Sequence, residues 1–457
     1  MYIQTINPAT GEDLNQYAIF TPEQVKEKIQ NTHQAFLSWR GIDLPKRLEL
    51  FSNLIQVLNQ EKQACAQLIS TEMGKPIQFA KAEIDKCILC CQYYIEHAMN
   101  FLQPHQVQTE FHASFVTYNP LGVILAVMPW NFPFWQVLRC VIPTMIAGNT
   151  VILKHASIVT GSALKIEELF IKAGFPTNSM TTLAIESSSV AGIIAHPSVR
   201  GVTLTGSEDV GRKIASDAAP YLKKVSLELG GNDACLVLED ANLKEAAKAI
   251  VSSRLRNSGQ VCVSSKRVIA HTDIHDQLVE EIRLEMAKYQ MGAPLDEKTN
   301  LGPMARADLR EILHQQVLKM IEQGATLLEG GCIPEGKGFY YPPTLLTNVT
   351  KDSIAYQEEL FGPVIAVTRF NEFNEGIDLA NCTRFGLGGS VFSANIEQAE
   401  YLASQVIEAG VCFVNLPVTS DPRLPFGGIK DSGYGRELSK EGLIEFTNIK
   451  TVIVNAK

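Results

Sequence analysis

Short apolar runs alternate with helical lengths of sequence over most of the chain. Four β-rich runs lie between residues 122 and 206, namely GVILAV, TVILK, MTTLAI and GVTLTG. A second alternating series begins near Cys235, with CLVLED, RVIAHTD and TLLEGG. Strands that alternate with helices in this way are typical of a parallel sheet covered by helices. The pattern therefore predicts an α/β protein with two domains of similar design.

The first hundred residues are predicted to be mainly helical. Thr21 and Gln24 stand three positions apart before a periodic apolar run, which is the pattern of a capping box. Pro22 fits the first helical position, where a missing N–H costs nothing. This helix is predicted to bury one face, and to pack Phe20 on Val25 at its start; the face comprises Val25, Ile29, Thr32 and Phe36. Residues 111–119 lack helix formers and are predicted to form a strand.

Composition indicates a globular protein without a nucleic-acid partner. The 457 residues exceed what one ordinary hydrophobic core holds, so two or three domains are expected. Hydrophobic residues make up 46% of the chain and charged residues 19%, and the net charge is −9. A nucleic-acid-binding protein normally presents a basic face, which this balance does not favour.

The sequence indicates neither a signal peptide nor a membrane span. Its opening, MYIQTINPATGE, has no basic start followed by an apolar run, and prolines, asparagines and an arginine interrupt the most apolar stretch, residues 121–153. The ten cysteines do not form a disulfide framework. Cys87, Cys90 and Cys91 lie in an apolar helical stretch, with no second pair or suitably spaced histidine to complete a metal site. We therefore expect free thiols, no metal and a reducing cytoplasm.

Two segments at the ends of predicted strands fit a dinucleotide site. TGSEDVG, residues 205–211, closes one strand and opens a helix, so its amides and the helix N-terminus can meet a pyrophosphate. It is not a full glycine fingerprint, and an ordinary strand-to-helix turn is the alternative. Lys154 ends the strand TVILK, where ligands bind in parallel sheets. A solvated strand-end lysine is an equally good interpretation.

Two further segments carry candidate catalytic side chains. In LELGGND, Glu228 precedes a paired-glycine turn in an apolar setting, which suits a general base near neutral pH. In NSGQVC, Cys262 follows a polar, glycine-containing run with accessible backbone amides. Taken alone, Cys262 is more simply a core thiol, and Glu228 a member of a buried ion pair.

The segment PWNFPFW, residues 129–135, places three functional groups on one side of a helix. Asn131 is expected to cap a helix that begins with Phe132 and Pro133. At about 100° per residue, Asn131, Trp135 and Arg139 share one helix face. An amide, an indole and a guanidinium on one stripe fit a substrate funnel. The alternative is an amphipathic helix with a single salt-bridged arginine.

Together these segments resemble the aldehyde dehydrogenase family over nearly the whole chain. INPATGE, PWNFPFW, TGSEDVG, LELGGND, GQVC, LGPM, EELFGPV and PFGGIKDSGYGRE follow one another in the family's order and spacing. The strand-end motif LKHA, in place of the common LKPA, resembles the short bacterial succinate-semialdehyde dehydrogenases of that family. The resemblance implies oxidation of succinate semialdehyde to succinate with a nicotinamide cofactor.

The resemblance also implies three catalytic roles. Cys262 matches the nucleophile, which forms a thiohemiacetal and then a thioester. Glu228 matches the base that activates the hydrolytic water. Asn131 matches the amide donor of the oxyanion hole, together with the backbone N–H of Cys262.

Seven positions match residues that contact the cofactor in the family: Trp130, Lys154, Ser157, Gly206, Ser207, Glu359 and Phe361. Among them, Lys154 matches a contact to the adenosine ribose, and Glu359 and Phe361 match residues that hold the nicotinamide half. Ser157 stands where NAD-preferring members carry a glutamate, which repels a 2′-phosphate. NADP is therefore the expected cofactor, with NAD as the alternative. The run NSMTTLAIES also lacks a glycine that the family places beside the adenosine.

Substrate binding is assigned by the resemblance to Trp135, Arg139 and Ser420. Arg139 is expected to bind the far carboxylate, with the Ser420 hydroxyl as a second contact and Trp135 as a wall. The implied architecture is two parallel-sheet α/β domains plus a small β oligomerisation arm, in a homodimer or homotetramer. The expected boundaries are 1–104 and 122–231 for the cofactor domain, 232–422 for the catalytic domain, and 105–121 with 423–457 for the arm.

Several other functions are weighed against this one. Another small aldehyde is the first alternative substrate. An aldehyde dehydrogenase that acylates coenzyme A typically lacks the base at the LELGG position, so Glu228 argues against it. Intact Cys262, Glu228 and Asn131 argue against an inactive structural homologue. A cysteine hydrolase is disfavoured because no histidine occurs in a recognisable partner motif.

Overall fold

The computed structural model, which describes residues 1–455, contains two large helix-covered sheets, one three-stranded antiparallel sheet and two antiparallel strand pairs, Tyr2–Ile6 with Asp13–Ala18 and Phe385–Gly386 with Ile429–Lys430. The helices are α1 (Pro22–Trp39), α2 (Leu44–Met73), α3 (Ile77–Leu102), α4 (Trp135–Ile146), α5 (Thr160–Lys172), α6 (Val190–Ala195), α7 (Glu208–Ala218), α8 (Leu243–Leu255), α9 (Thr272–Met286), α10 (Ala307–Glu322), α11 (Ile354–Gln357), α12 (Phe373–Asn381), α13 (Ile396–Tyr401) and α14 (Ser439–Ile444). The strands are β1 (Tyr2–Ile6), β2 (Asp13–Ala18), β3 (His105–Gln106), β4 (Ala113–Pro120), β5 (Val123–Met128), β6 (Thr150–His155), β7 (Met180–Thr182), β8 (Val199–Thr205), β9 (Lys224–Glu228), β10 (Ala234–Val237), β11 (Arg267–His271), β12 (Thr326–Glu329), β13 (Thr344–Thr347), β14 (Val364–Phe370), β15 (Phe385–Gly386), β16 (Gly388–Phe392), β17 (Val411–Val414), β18 (Ile429–Lys430), β19 (Gly433–Tyr434) and β20 (Thr447–Val454).

The start of α1 confirms the predicted capping box. The Thr21 side chain accepts a hydrogen bond from the Gln24 N–H, the Gln24 side chain accepts one from the Thr21 N–H, and Pro22 is the first helical residue. These bonds satisfy two N–H groups that a helix end otherwise leaves unpaired. The predicted apolar face is buried: Val25, Ile29, Thr32 and Phe36, followed by Trp39.

The first sheet has the strand order β19-β9-β8-β5-β6-β7. Strand β5 pairs in parallel with β6 on one side and with β8 on the other, so the chain reverses its direction of winding there. Ligands of such sheets bind in the crevice beyond the carboxyl ends of the strands at this reversal. Only the two-residue edge strand β19 runs antiparallel, against β9.

The second sheet has the order β12-β13-β14-β11-β10-β16-β17. The runs CLVLED, RVIAHTD and TLLEGG supply β10, β11 and β12, as predicted. Strand β12 departs from the expected parallel arrangement, since it pairs antiparallel with β13 at the sheet edge. Helices α8 and α9 pack together, and α9 also packs on β11 and β14.

A third sheet consists of β20, β4 and β3, all antiparallel. Residues 113–120 form β4, close to the predicted strand at 111–119. The stretch 423–457, expected in the arm, contributes β20 here, but β19 within it pairs with β9 of the first sheet. Its last two residues lie outside the described part of the chain.

The long helices α2 and α3 form one core with α4 and α5. Cys87, Cys90 and Cys91 on α3 are fully buried in it, and the ten cysteines of the chain are free thiols. Among the described residues, no helix combines the length and apolar character that crossing a membrane requires.

One buried asparagine joins three parts of the first domain. Asn149 Oδ1 accepts hydrogen bonds from the N–H groups of Leu121 and Gly122, at 2.8 and 3.0 Å. Its Nδ2 donates to the carbonyls of Thr144 and Phe446, at 3.2 and 3.0 Å. The side chain thereby fixes the start of β5, the end of α4 and the approach to β20.

We expect Asn149→Ala to lower the free energy of unfolding by about 3 kcal/mol, because four backbone groups lose a hydrogen bond to this buried side chain. Thermal unfolding followed by circular dichroism measures the effect. Asn59→Ala, on the exposed face of α2, is the matched control. Equal transition midpoints for the two variants would contradict the structural role of Asn149.

Candidate active site

The carboxyl ends of three strands of the first sheet bring together residues that the sequence placed far apart. Strand β6 ends beyond Lys154, β8 ends at Thr205 before Gly206, and β9 ends at Glu228. Glu228 lies opposite Thr205 in register, and its carbonyl accepts a hydrogen bond of 3.0 Å from the Gly206 N–H. Ser207 precedes the first residue of α7, as the strand-to-helix interpretation of TGSEDVG predicted.

Lys154 is a buried cation that pairs with no carboxylate among the described residues. Its Nζ donates to Ser187 Oγ at 3.2 Å, and burial lowers the pKa of the ammonium. Ser157 opens the short turn Ser157–Val159 directly after β6. An ammonium with a single hydroxyl partner at the carboxyl end of a strand fits an anionic group such as a phosphate.

The residues expected at the nicotinamide half lie between the two large sheets. The rings of Trp130 and Phe361 meet edge to face, with centroids 5.8 Å apart. Glu359 Oε1 lies 2.9 Å from Lys266 Nζ and 3.3 Å from the Gly231 N–H. Lys266 Nζ also donates to the carbonyl of Cys262, so this buried lysine, not identified from the sequence, links Glu359 to the cysteine loop.

A tight turn at residues 256–259 positions Cys262. Asn257, Ser258 and Gly259 all have positive φ, at 53°, 54° and 72°. A Cβ on Gly259 would lie 2.0 Å from the Gly362 carbonyl oxygen, so no other residue fits this position. The turn is fixed by Asn257 Nδ2, which donates to the carbonyl of Asn131 at 2.8 Å.

Asn131 does not cap a helix, contrary to the expectation from PWNFPFW. Helix α4 begins later, at Trp135, and the Glu83 carboxylate accepts hydrogen bonds from the Phe134 and Trp135 N–H groups at 2.8 and 3.0 Å. Since a distant glutamate performs the capping, the Asn131 amide is free to face the cysteine loop. Its Nδ2 donates to the carbonyl of Gln260 at 3.0 Å.

Cys262 lines a cavity between α3, α4 and the loop before β18. Other residues around this cavity are Lys75, Phe79, Ala82, Glu83, Lys86, Phe132, Trp135, Gln136, Arg139, Arg256, Asn257, Val261, Val263, Ser420 and Phe426. Burial raises the pKa of the Cys262 thiol to about 11, against the opposing charges of Arg139 and Lys266. The thiol is therefore protonated at neutral pH, and a base has to take its proton when it attacks.

Glu228 is a buried carboxylate without a close hydrogen-bond donor. Burial raises its pKa to about 8, while the nearby Arg139 charge acts in the opposite direction. The nearest ion pair is loose, with Arg139 Nη2 at 3.7 Å from Glu228 Oε2. A carboxylate with this pKa takes up and releases protons near neutral pH, which is the property a general base needs.

Arg139 lines the cavity, but its guanidinium is already held by carboxylates. Its Nε forms an ion pair with Glu437, and its Nη2 lies near Glu228 and 3.4 Å from Thr205 Oγ1. All three charged side chains are at least 95% buried. The structure thus agrees with the alternative of a salt-bridged arginine on α4. The charge of Arg139 also acts on the nearby Glu228 carboxylate.

Trp135 and Ser420 both contact Lys86 at the cavity, and Lys86 was not identified from the sequence. Lys86 Nζ lies 4.4 Å above the Trp135 ring and donates to Ser420 Oγ at 2.7 Å. Arg256, which also lines the cavity, stands six positions before Cys262 and was likewise not named. Arg256 could have been found from the sequence, because it lies close to the GQVC motif. Lys86 could not, because only the packing of α3 places it at the cavity.

The fold is that of a known enzyme family. The family model for the aldehyde dehydrogenase family matches residues 1–452, and the chain belongs to that family. It is therefore an oxidoreductase that acts on a small aldehyde. The fold predicted from the motifs is confirmed.

Named relatives match from end to end. The succinate semialdehyde dehydrogenase [NAD(P)+] of Escherichia coli K12 is 42% identical over 98% of this chain and 97% of its own. The succinate-semialdehyde dehydrogenase [NADP(+)] of Deinococcus radiodurans is 39% identical over 98% and 94%. The crystal structure of succinic semialdehyde dehydrogenase from Streptococcus pyogenes in complex with NADP+ superposes with a TM-score of 0.96, at 37% identity and full coverage of both chains.

We expect Arg139→Gln to lower the free energy of unfolding by about 3–5 kcal/mol, because it leaves Glu437 and Glu228 buried without their cation. The denaturation midpoint measures the loss. Arg423→Gln removes an exposed arginine that pairs only locally with Asp421, and serves as control. Unchanged stability with impaired substrate binding would show instead that Arg139 serves the substrate alone.

Proposed function

We propose that this aldehyde dehydrogenase oxidises succinate semialdehyde to succinate, with NADP as its preferred cofactor. One observation carries the choice of substrate: four cations and a single carboxylate line the cavity beside Cys262, namely Lys75, Lys86, Arg139 and Arg256 against Glu83. An excess of positive charge near the nucleophile suits an aldehyde whose other end is an anion. The names of the relatives from E. coli and D. radiodurans support the same substrate.

In the first half of the proposed reaction, Cys262 Sγ forms a bond with the aldehyde carbon. Since the thiol is protonated at neutral pH, its proton passes to a base, and we assign this role to the buried Glu228. The aldehyde oxygen becomes an oxyanion, which accepts hydrogen bonds from the Cys262 N–H and Asn131 Nδ2. One Nδ2 hydrogen is engaged by Gln260, and the second remains for the oxyanion.

In the second half, the tetrahedral adduct on Cys262 loses hydride and becomes a thioester. A bound nicotinamide supplies the hydride acceptor. Glu228 releases the proton that it took from Cys262 to solvent and, again deprotonated, takes a proton from water. The water oxygen attacks the thioester carbon, the C–S bond breaks, and the leaving thiolate takes the proton back from Glu228 as the acid is released. The raised pKa of Glu228 suits both the uptake and the release of this proton.

The preference for NADP is supported by charge at the end of β6. Lys154 is buried and free of carboxylate partners among the described residues, so it can attract a ribose phosphate. Ser157, three residues further along, adds no negative charge that would repel it. The D. radiodurans relative and the S. pyogenes structure are both named with NADP.

We also propose that the chain assembles as a homodimer or homotetramer through the third sheet. Strand β20 pairs with β4 along one edge and presents Ile449 and Ile453 to solvent in the single chain. A strand with an open edge and exposed apolar side chains is suited to pairing with a second copy. The ten free thiols support a cytoplasmic, reducing compartment.

Initial rates with succinate semialdehyde and with butanal, each with NADP and with NAD, test the substrate and the cofactor together. Butanal has the same number of carbons and no charge. We expect kcat/KM for succinate semialdehyde with NADP to exceed that for butanal by at least about 100-fold, since each charge-assisted contact contributes roughly 1.5–3 kcal/mol and two of them contribute at least about 3 kcal/mol.

The Ser157→Glu variant is the control for the cofactor, and Ser157→Gln is its neutral match. We expect only the glutamate to reverse the preference toward NAD. Equal turnover of butanal and succinate semialdehyde by the wild type would refute the substrate proposal. A requirement for added coenzyme A would favour the acylating alternative.

We expect Glu228→Gln to lower steady-state turnover about 100- to 10,000-fold, because the water loses its base. In the wild type, turnover should rise with pH through about 8, since the base acts when deprotonated and its pKa lies there. The variant should lose this rise. Stopped-flow absorbance and intact mass measure turnover and any acyl-enzyme on Cys262.

Glu437→Gln provides the comparison for this variant, because it also removes a buried carboxylate beside Arg139 but lies behind the guanidinium. Turnover in Glu228→Gln that keeps the wild-type pH profile would show that another group activates the water.

A further inference from the structure

Lys266 is a buried lysine that contacts both the cysteine loop and the segment that contains Glu359. It follows Cys262 by four positions, directly before the first residue of β11. Its Nζ donates to the carbonyl of Cys262 and lies 2.9 Å from Glu359 Oε1. The lysine side chain is 0% exposed, whereas that of Glu359 is 18% exposed. The ammonium is therefore held inside the protein, while its carboxylate partner remains partly accessible to solvent.

Two further buried side chains hold the same loop. The Ser264 N–H donates to Asp233 Oδ2 at 3.0 Å, and the Ser264 hydroxyl accepts from Arg254 Nη1 at 3.1 Å. Arg254 also donates to the carbonyls of Gly259 and Leu360. The loop is thus fixed before and after the cysteine, and the lysine fixes the peptide group of the cysteine itself.

Charges of both signs surround the Cys262 thiol. The charged side chains that face it or line its cavity are Lys75, Glu83, Lys86, Arg139, Glu228, Arg256, Lys266 and Glu359. Burial raises the pKa of the thiol, the cations Arg139 and Lys266 lower it, and the carboxylates Glu228 and Glu359 raise it. Within residues 1–455, Lys266 pairs with the carboxylate of Glu359 alone. This pair therefore acts on the thiol with two opposite charges.

The position of the ammonium decides how strongly it acts. A cation close to a thiol stabilises the thiolate most where water is excluded, because little dielectric screening separates the two charges. The hydrogen bond to the Cys262 carbonyl keeps the Lys266 ammonium beside the cysteine. Glu359 weakens the effect of the ammonium, since its charge is opposite.

We propose that Lys266 is a positioning residue for the nucleophile: its bond to the carbonyl fixes the Cys262 peptide group, and its charge, offset by Glu359, sets how readily the thiol loses its proton. This inference rests on the proposed role of Cys262. Lys266 does not line the cavity beside Cys262, so it acts on the nucleophile and not on the choice of aldehyde.

The test measures alkylation of Cys262 by iodoacetamide in the free enzyme, without aldehyde or cofactor. Because the thiolate is the species that reacts, the rate at a fixed pH near 8 reports the thiolate fraction. Peptide mass spectrometry follows the fragment that contains Cys262. The exposed Cys332 in the same sample is the internal reference.

We expect Lys266→Met, which removes the charge, to slow alkylation of Cys262 about 10-fold, since a thiol pKa higher by about one lowers the thiolate fraction tenfold. Lys266→Arg keeps the charge and should stay within about 3-fold of the wild type. Glu359→Gln should have the opposite effect and speed alkylation about 3- to 10-fold, because the thiol loses a negative neighbour. The Cys332 rate should be equal in all four proteins.

The pH dependence separates charge from packing. The alkylation rate should level off at a higher pH in Lys266→Met than in the wild type, and at a lower pH in Glu359→Gln. A loosened loop would change the rate without moving the pH at which it levels off. Glu359→Gln keeps the test decisive even if Lys266→Met does not fold.

Three outcomes would overturn the inference: an unchanged Cys262 rate in Lys266→Met, a slower rate in Glu359→Gln, or a rate in Lys266→Arg as low as in Lys266→Met. The proposed function fails in a different way. Turnover that survives in Cys262→Ser would refute the nucleophile, whatever the alkylation rates are.

Discussion

The placement of the catalytic loop depends on one buried ion pair, Lys75 with Glu83. Glu83 accepts hydrogen bonds from the free N–H groups at the start of α4. Lys75 donates a hydrogen bond to the carbonyl of Asn131 at 3.0 Å. Both side chains are 1% exposed, so their charges are stable only because these hydrogen bonds complete the pair. Burial lowers the pKa of Lys75, and the charge of Glu83 and the hydrogen bond to it act in the opposite direction. Through the contact between Lys75 and Asn131, the packing of α2 and α3 helps to determine where Asn131 lies.

The proposed chemistry also depends on burial, which here acts on the single ionisable groups of Cys262 and Glu228. A low-dielectric cavity raises the pKa of both the Cys262 thiol and the Glu228 carboxylate, so neither is charged without help. Arg139 and Lys266 counter this effect at the thiol. In the proposed mechanism, the Cys262 thiol therefore needs a base to remove its proton before it can attack.

Local patterns were enough to predict much of the fold, because the forces behind them are local. The capping box at Thr21, the strand before Lys154 and the turn into α7 depend on neighbours within a few residues. The predicted start of α4 was wrong because its first N–H groups are capped by Glu83, from another helix. The roles of Cys262, Glu228 and Asn131 were assigned by resemblance and remain predictions, and the structure places these residues near one another. Lys86 was not, since a lysine in a helical run carries no sign of the cavity it will face.

The ion pair between Arg139 and Glu437 has a consequence for how the site is first assembled. Glu437 comes only 20 residues before residue 457, whereas Arg139 belongs to the first third of the sequence. During synthesis, most of the chain is therefore made between Arg139 and Glu437, its principal partner. Until Glu437 has been made, the looser contact with Glu228 is the one that the Arg139 guanidinium can make to a carboxylate among the described residues. This ion pair therefore forms only after the segment that contains Glu437 has been synthesised and packs on α4.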